Sequence, residues 1–136
     1  MPQLSSILLV DDDPTTNYLN TKLVQRAGVA THVLVAENGR QALALLHQTC
    51  QPHSPQCPDL ILLDVNMPVM TGIEFLEAYK QLPALLQHAM VIVMLTTSLL
   101  PRDLERLRQL PIAGVLDKPL TTEKLRTLLA QHFPES

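Results

Sequence analysis

Five short apolar runs, each closing on a polar residue, constrain this chain more than any other feature. They are Ser6 to Val10, Val33 to Ala36, Leu60 to Leu63, Val91 to Leu95 and Ile112 to Leu116. Each is too short for a buried helix and is bounded by turn residues, which predicts a strand. Helical spacing fills the segments between them. Asp13 and Pro14 predict a cap and first turn. Leu19, Leu23, Val24 and Ala27 then form an apolar stripe that Gly28 ends. Asn38 is placed to cap a second helix carrying Ala42, Leu43, Leu45 and Leu46. A loop with Pro68 and Gly72 leads to a third, with Ile73, Phe75, Leu76 and Tyr79. Pro101 opens a fourth with Leu104 and Leu107, and Thr121 or Thr122 caps a fifth with Leu125, Leu128 and Leu129. Strands apolar on both faces, alternating with amphipathic helices, predict an α/β chain with a parallel sheet covered on both sides.

The 136 residues suffice for one domain with a proper core, expected over about residues 5–133, with no output domain. A net charge of −3 and the lack of any basic block argue against a nucleic-acid surface. The longest apolar run, Ala89 to Leu95, is too short to span a bilayer. The first residues lack a charged leader with an apolar core. The chain is therefore expected to be soluble and cytoplasmic. Cys50 and Cys57 are too few for a secreted scaffold, and a disulfide between them is not expected in a reducing cytosol. His47, Cys50, His53 and Cys57 have metal-ligand chemistry but match no standard zinc spacing, so an ordinary surface loop is the preferred reading. The scattered methionines, Met67, Met90 and Met94 among them, read as core filler.

The chemistry-bearing residues fall at one edge. In a parallel sheet, ligands bind outside the carboxyl ends of the strands. Strand 1 ends in Asp11, Asp12 and Asp13, strand 3 in Asp64, strand 4 in Thr96 and Thr97, and strand 5 leads into Lys118. Carboxylates converging in one cleft repel each other and call for a cation. Mg²⁺ suits a few carboxylates with waters and a phosphate. A lysine and a threonine hydroxyl beside them can stabilise a phosphoryl group in transfer to a carboxylate.

The segments Ile7-Leu-Leu-Val-Asp-Asp-Asp, Leu62-Leu-Asp-Val-Asn-Met-Pro with Gly72 after it, Leu95-Thr-Thr-Ser and Asp117-Lys-Pro resemble the receiver domains of two-component signalling over nearly the whole chain. The resemblance implies a stand-alone, chemotaxis-like receiver. Its fold would be flavodoxin-like, a doubly wound five-stranded sheet of order 2-1-3-4-5 with five helices. Asp64 would be the phosphoacceptor, charged by a histidine kinase or a histidine phosphotransfer protein. Asp12 would ligate Mg²⁺ directly, Asp11 through water, and Asn66 through its backbone carbonyl. Thr96 would hydrogen-bond the phosphoryl group and swing inward on activation, while Lys118 would contact the phosphoryl oxygens. Pro119 would follow a cis peptide. Asp13 lies outside the acidic pair and is assigned a cap role, as are Thr97 and Ser98 at the entry of the fourth helix. The family often has an aromatic switch residue where this chain has Val115, which would alter the coupled threonine–aromatic motion. The connection between helix 2 and strand 3 is enlarged. Output would run through an unidentified protein partner, and a homodimer would form through the face made by the fourth helix, fifth strand and fifth helix.

Two rivals stand beside this reading. Asp11-Asp12-Asp13-Pro14-Thr15 also fits the nucleophile motif of haloacid-dehalogenase-like phosphatases, with Asp11 as nucleophile and Asp13 as general acid. That family needs a later acidic pair, and after Lys118 only Glu123 and Glu135 follow. The second rival is a pseudo-receiver that binds partners without phosphorylation, against which the intact acidic set argues. No G-x-x-x-x-G-K or G-x-G-x-x-G occurs, which excludes a P-loop or dinucleotide site.

Overall fold

The computed structural model describes residues 4–50, 57–65, 70–81, 91–96, 105, 109 and 112–133. Along the chain come β1 (Leu4–Val10), α1 (Pro14–Ala27), β2 (Ala30–Ala36), α2 (Gly39–Thr49), β3 (Leu60–Asp64), α3 (Gly72–Tyr79), β4 (Val91–Thr96), β5 (Gly114–Asp117) and α4 (Thr122–His132). All strand pairs are parallel, in the order β2-β1-β3-β4-β5. This is the expected doubly wound sheet. Four helices of defined extent lie among the described residues; of the helix predicted from Pro101 only Glu105 is described, as helical, and Leu100, Leu104 and Leu107 lie outside the described residues.

Side chains alternate along each central strand and so feed two separate apolar layers. Leu8, Val10, Ile61, Leu63, Ile92 and Met94 point to one layer, closed by Ala42, Leu46, Ile73, Phe75 and Leu76 of α2 and α3. Ile7, Leu9, Leu60, Leu62, Val93 and Leu95 point to the other, closed by Val24 of α1 and Leu125, Leu128 and Leu129 of α4. The two edge strands depart from the expectation of apolar burial on both faces. β2 starts at Ala30 rather than Val33, β5 runs Gly114–Asp117, and both are only half-covered. Each has one strand neighbour instead of two, so its outward residues, such as Val35 and Val115, remain exposed.

The caps follow the sequence closely. Asp13 accepts a hydrogen bond from the Thr15 amide, Asn38 from Gln41, and Thr121, rather than Thr122, from Lys124. Gly28 takes the left-handed conformation (φ 66°) that closes α1. α3 is entered through a capping box in which Thr71 and Glu74 bond each other's backbone. Gly72 beside it is a close-approach position: a Cβ there would lie 2.5 Å from the Asp64 carbonyl oxygen. Only glycine lets α3 start directly against the end of β3.

α1 carries a correction. Leu19 was expected in its apolar stripe, yet it is 58% exposed, and the buried positions are Asn17, Asn20 and Val24. Asn17, Asn20 and Val24 follow the three-and-four spacing that shares one helix face, while Leu19 stands two residues from Asn17 and points elsewhere.

The cysteines carry another. Cys50 and Cys57 form a disulfide with a Cα–Cα separation of 4.5 Å, contrary to the expectation of free thiols. Cys50 ends α2 and is buried in the α2–α3 layer, and Cys57 packs against the same layer just ahead of β3. The bond thus ties the end of α2 to the segment entering β3, a contact that local sequence pattern does not display. Bonded sulfurs are not thiolate ligands, which removes the zinc reading; His53 lies outside the described residues. Closing so short a loop constrains the unfolded chain by about 2.5 kcal/mol. Reduction with a phosphine should therefore lower the thermal midpoint by about 10 °C, read by circular dichroism. Phosphoryl chemistry at the other end of β3 should be unchanged. An unshifted midpoint would count against the bond.

Candidate functional site

The sheet delivers its polar residues to one edge through strand length alone. β1 stops at Val10, so Asp11 lies just past its carboxyl end; Asp64 is the last residue of β3 and Thr96 the last of β4. In register, Asp64 pairs with Leu95 and Thr96 with Asp117, which puts Lys118 one step past the neighbouring strand end. The Lys118 amide donates to the Thr96 carbonyl at 2.8 Å and so extends the ladder.

Asp11, Asp64 and Thr96 are buried, and Asp12 is exposed. Carboxylate oxygens of Asp11, Asp12 and Asp64 all lie within 4.8 Å of one another. The Lys118 ammonium lies among them, 2.7 Å from Asp11 Oδ2 and 3.4 Å from Asp64 Oδ1. Asp11 Oδ1 accepts from the Asp13 amide at 2.9 Å, so both Asp11 oxygens are committed inside the protein. Burial pushes the Lys118 amine down, and the hydrogen bond and charge of Asp11 with the charge and hydrogen bond of Asp64 outweigh it, leaving the group above an ordinary lysine. The cation is thus held charged across the neutral range. One ammonium against three carboxylates leaves negative charge uncompensated. With oxygen-only donors, the cluster fits a hard divalent ion completed by water.

The remaining predicted residues fall as follows. The Lys118–Pro119 peptide is cis. Val115 is 38% exposed on β5. Asn66 and Thr97 lie outside the described residues. Asp13 is a cap: its oxygens accept from the Thr15 amide and the Thr16 hydroxyl, and these bonds, the Thr16 one first, hold its carboxyl below the usual range. That geometry ill suits a general acid and weakens the phosphatase alternative.

Two residues were missed from sequence. Lys124 of α4 donates to the carbonyls of Asp117 (2.8 Å) and Pro119 (3.0 Å), strapping the segment that carries Lys118. Asn17 lies buried beneath the acidic turn and donates from Nδ2 to the Asp11 carbonyl at 2.8 Å. The available signal for Asn17 was a polar residue in helical register with Asn20 and Val24 immediately after the aspartates.

The profile of the response regulator receiver domain family matches residues 7–130. The chain belongs to this family of phosphoacceptor domains in two-component signalling. It is 33% identical to the probable chemotaxis protein CheY of Rhizobium etli, over 93% of this chain and 91% of that protein. It is 30% identical over 96% of its length to the signal transduction histidine-protein kinase BarA of Escherichia coli, but spans only 13% of BarA. Among solved structures, a two-component response regulator from Cytophaga hutchinsonii superposes with a TM-score of 0.83 at 27% identity, covering 98% of this chain and 99% of that one. No described helix is long and apolar enough to cross a membrane.

Proposed function

We propose that Asp64 is the phosphoacceptor of this receiver, with Mg²⁺ held by Asp11, Asp12, Asp64 and the Asn66 carbonyl. The observation that carries this is the Lys118 ammonium lying between Asp11 and Asp64 in an acidic cleft at the strand ends. In the reaction, an Asp64 oxygen attacks phosphorus as the phosphorus–nitrogen bond of a phosphohistidine breaks, and the donor imidazole departs with the bonding pair. Bound Mg²⁺ supplies charge neutralisation for the phosphoryl oxygens. Lys118 pairs with a phosphoryl oxygen as its hold on Asp64 loosens, and the Thr96 hydroxyl donates to another. Water attacking the same phosphorus breaks the acyl phosphate, returns the carboxylate and resets the switch. With Val115 in place of an aromatic residue, the Thr96 movement reads out through a smaller side chain. The β5–α4 face around it is where an output protein or a second copy of the chain docks. The test is the intact mass after incubation with acetyl phosphate. A single Mg²⁺-dependent phosphoryl adduct is the expected result, and its absence with Mg²⁺ bound would favour the pseudo-receiver.

The donor is a histidine kinase or a histidine phosphotransfer protein, and α1 is its docking surface. Tyr18 and Leu19 are exposed apolar residues on that helix. A cavity of about 240 Å³ lined by Thr16, Leu19, Leu23, Lys118 and Pro119 joins this patch to the site. A donor helix can bury an apolar side chain there while its phosphohistidine reaches Asp64. Leu19→Arg should slow transfer from a phosphorylated histidine phosphotransfer domain by about 30-fold, the loss of one interface anchor. Labelling by acetyl phosphate should not change. Equal loss with both donors would refute the docking role.

A further inference from the structure

We infer that Asn17 is a positioning residue for the proposed metal site, acting through the peptide that joins Asp11 to Asp12; this rests on the Mg²⁺ reading above. Asn17 is 4% exposed, and a buried amide is costly unless its groups are bonded. Its Nδ2 donates to the Asp11 carbonyl at 2.8 Å and reaches the Ala36 carbonyl at 3.5 Å, while its Oδ1 has no partner among the described residues. The Ala36 carbonyl also accepts from the Asp11 amide at 3.1 Å, so one side chain ties the carboxyl ends of β1 and β2 together at Asp11.

The consequence falls on Asp12. The Asp11 carboxylate is fixed by its own bonds to Lys118 and the Asp13 amide. The Asp12 carboxylate is exposed and no side-chain bond holds it among the described residues. Its direction is therefore set by its backbone, and the peptide entering Asp12 carries the carbonyl that Asn17 grips. A leucine at position 17 would fill similar space and satisfy the helix, yet it would release that carbonyl. The amide thus orients the metal-facing carboxylate before any ion arrives.

The experiment compares Mg²⁺ affinity by calorimetry, with no phosphoryl donor present, for the wild type, Asn17→Leu, Asn17→Ala and Asn20→Leu. Asn20 is a buried amide on the same helix face without a bond to the acidic turn, so it controls for the general effect of losing a buried asparagine. Loss of a partner behind a metal ligand typically weakens affinity 10- to 100-fold. Asn17→Leu should raise the Mg²⁺ dissociation constant about tenfold, whereas Asn20→Leu should leave it within about twofold. Asn17→Ala gives the same readout should the leucine variant fail to fold. An unchanged constant in the Asn17 variants, with a lowered thermal midpoint, overturns the inference and leaves a structural strut. An equal shift in Asn20→Leu overturns it as well. A wild type that binds no Mg²⁺ overturns the metal site itself, and the inference with it.

Discussion

Asp64→Asn should remove phosphoryl uptake from acetyl phosphate, by at least about 10³-fold, the scale of losing a nucleophile that works within a concerted set. The change is nearly isosteric, and Asp64 closes a strand whose residues are all buried, so the sheet should persist. What disappears is the anionic oxygen. An amide oxygen is too weak a nucleophile to displace acetate from phosphorus at neutral pH. Mg²⁺ affinity should fall in parallel, because one of the three clustered carboxylates is lost. Intact mass and calorimetry on one preparation read both effects. An adduct that survives in Asp64→Asn and disappears in Asp11→Asn would reassign the nucleophile to the acidic turn and restore the phosphatase alternative.

How much of this could be read from the chain depended on whether a residue's neighbours are set by the strand pattern. Asp64, Thr96 and Lys118 were legible because the first two close apolar runs and Lys118 follows one by a single residue, and parallel strands bring their carboxyl ends together whatever the details of packing. The caps at Asp13, Asn38 and Thr121 were legible because their physics is local. Leu19 was misread because an apolar stripe was taken to run through it, whereas the buried side of α1 begins with an amide serving the Asp11 carbonyl. A hydrophobic pattern cannot display a polar residue whose partner is a backbone atom of another element. The half-covered state of β2 and β5 follows from their edge places in the sheet, which their apolar composition does not reveal. Cys50 and Cys57 were judged by compartment, yet the fold packs the end of α2 and the entry to β3 against one layer, a tertiary fact.

The proposed roles of Lys118 and of a bound divalent ion can be separated most sharply by removing the lysine charge. Lys118→Met keeps the length and apolar stem of the side chain and removes only the ammonium. Without that charge, Asp11 and Asp64 lose the group now 2.7 Å and 3.4 Å from them, and the cleft becomes more negative. A divalent ion entering it no longer meets a competing positive charge, so Mg²⁺ should bind more tightly than in the wild type. Phosphoryl uptake should move the opposite way. Losing one preorganised donor to a transferring oxyanion costs about 10²- to 10³-fold, even with Mg²⁺ saturating. Because its neighbours raise Lys118 above an ordinary lysine, its contribution is present throughout the neutral range and fades only as alkaline pH reaches that raised value. The deficit of Lys118→Met should therefore be flat between about pH 6 and 9. Tighter metal with slower transfer is the outcome that assigns Lys118 to the phosphoryl group. If Mg²⁺ affinity and rate fell together, Lys118 would instead be a strut for the acidic cluster, and the assignment would fail.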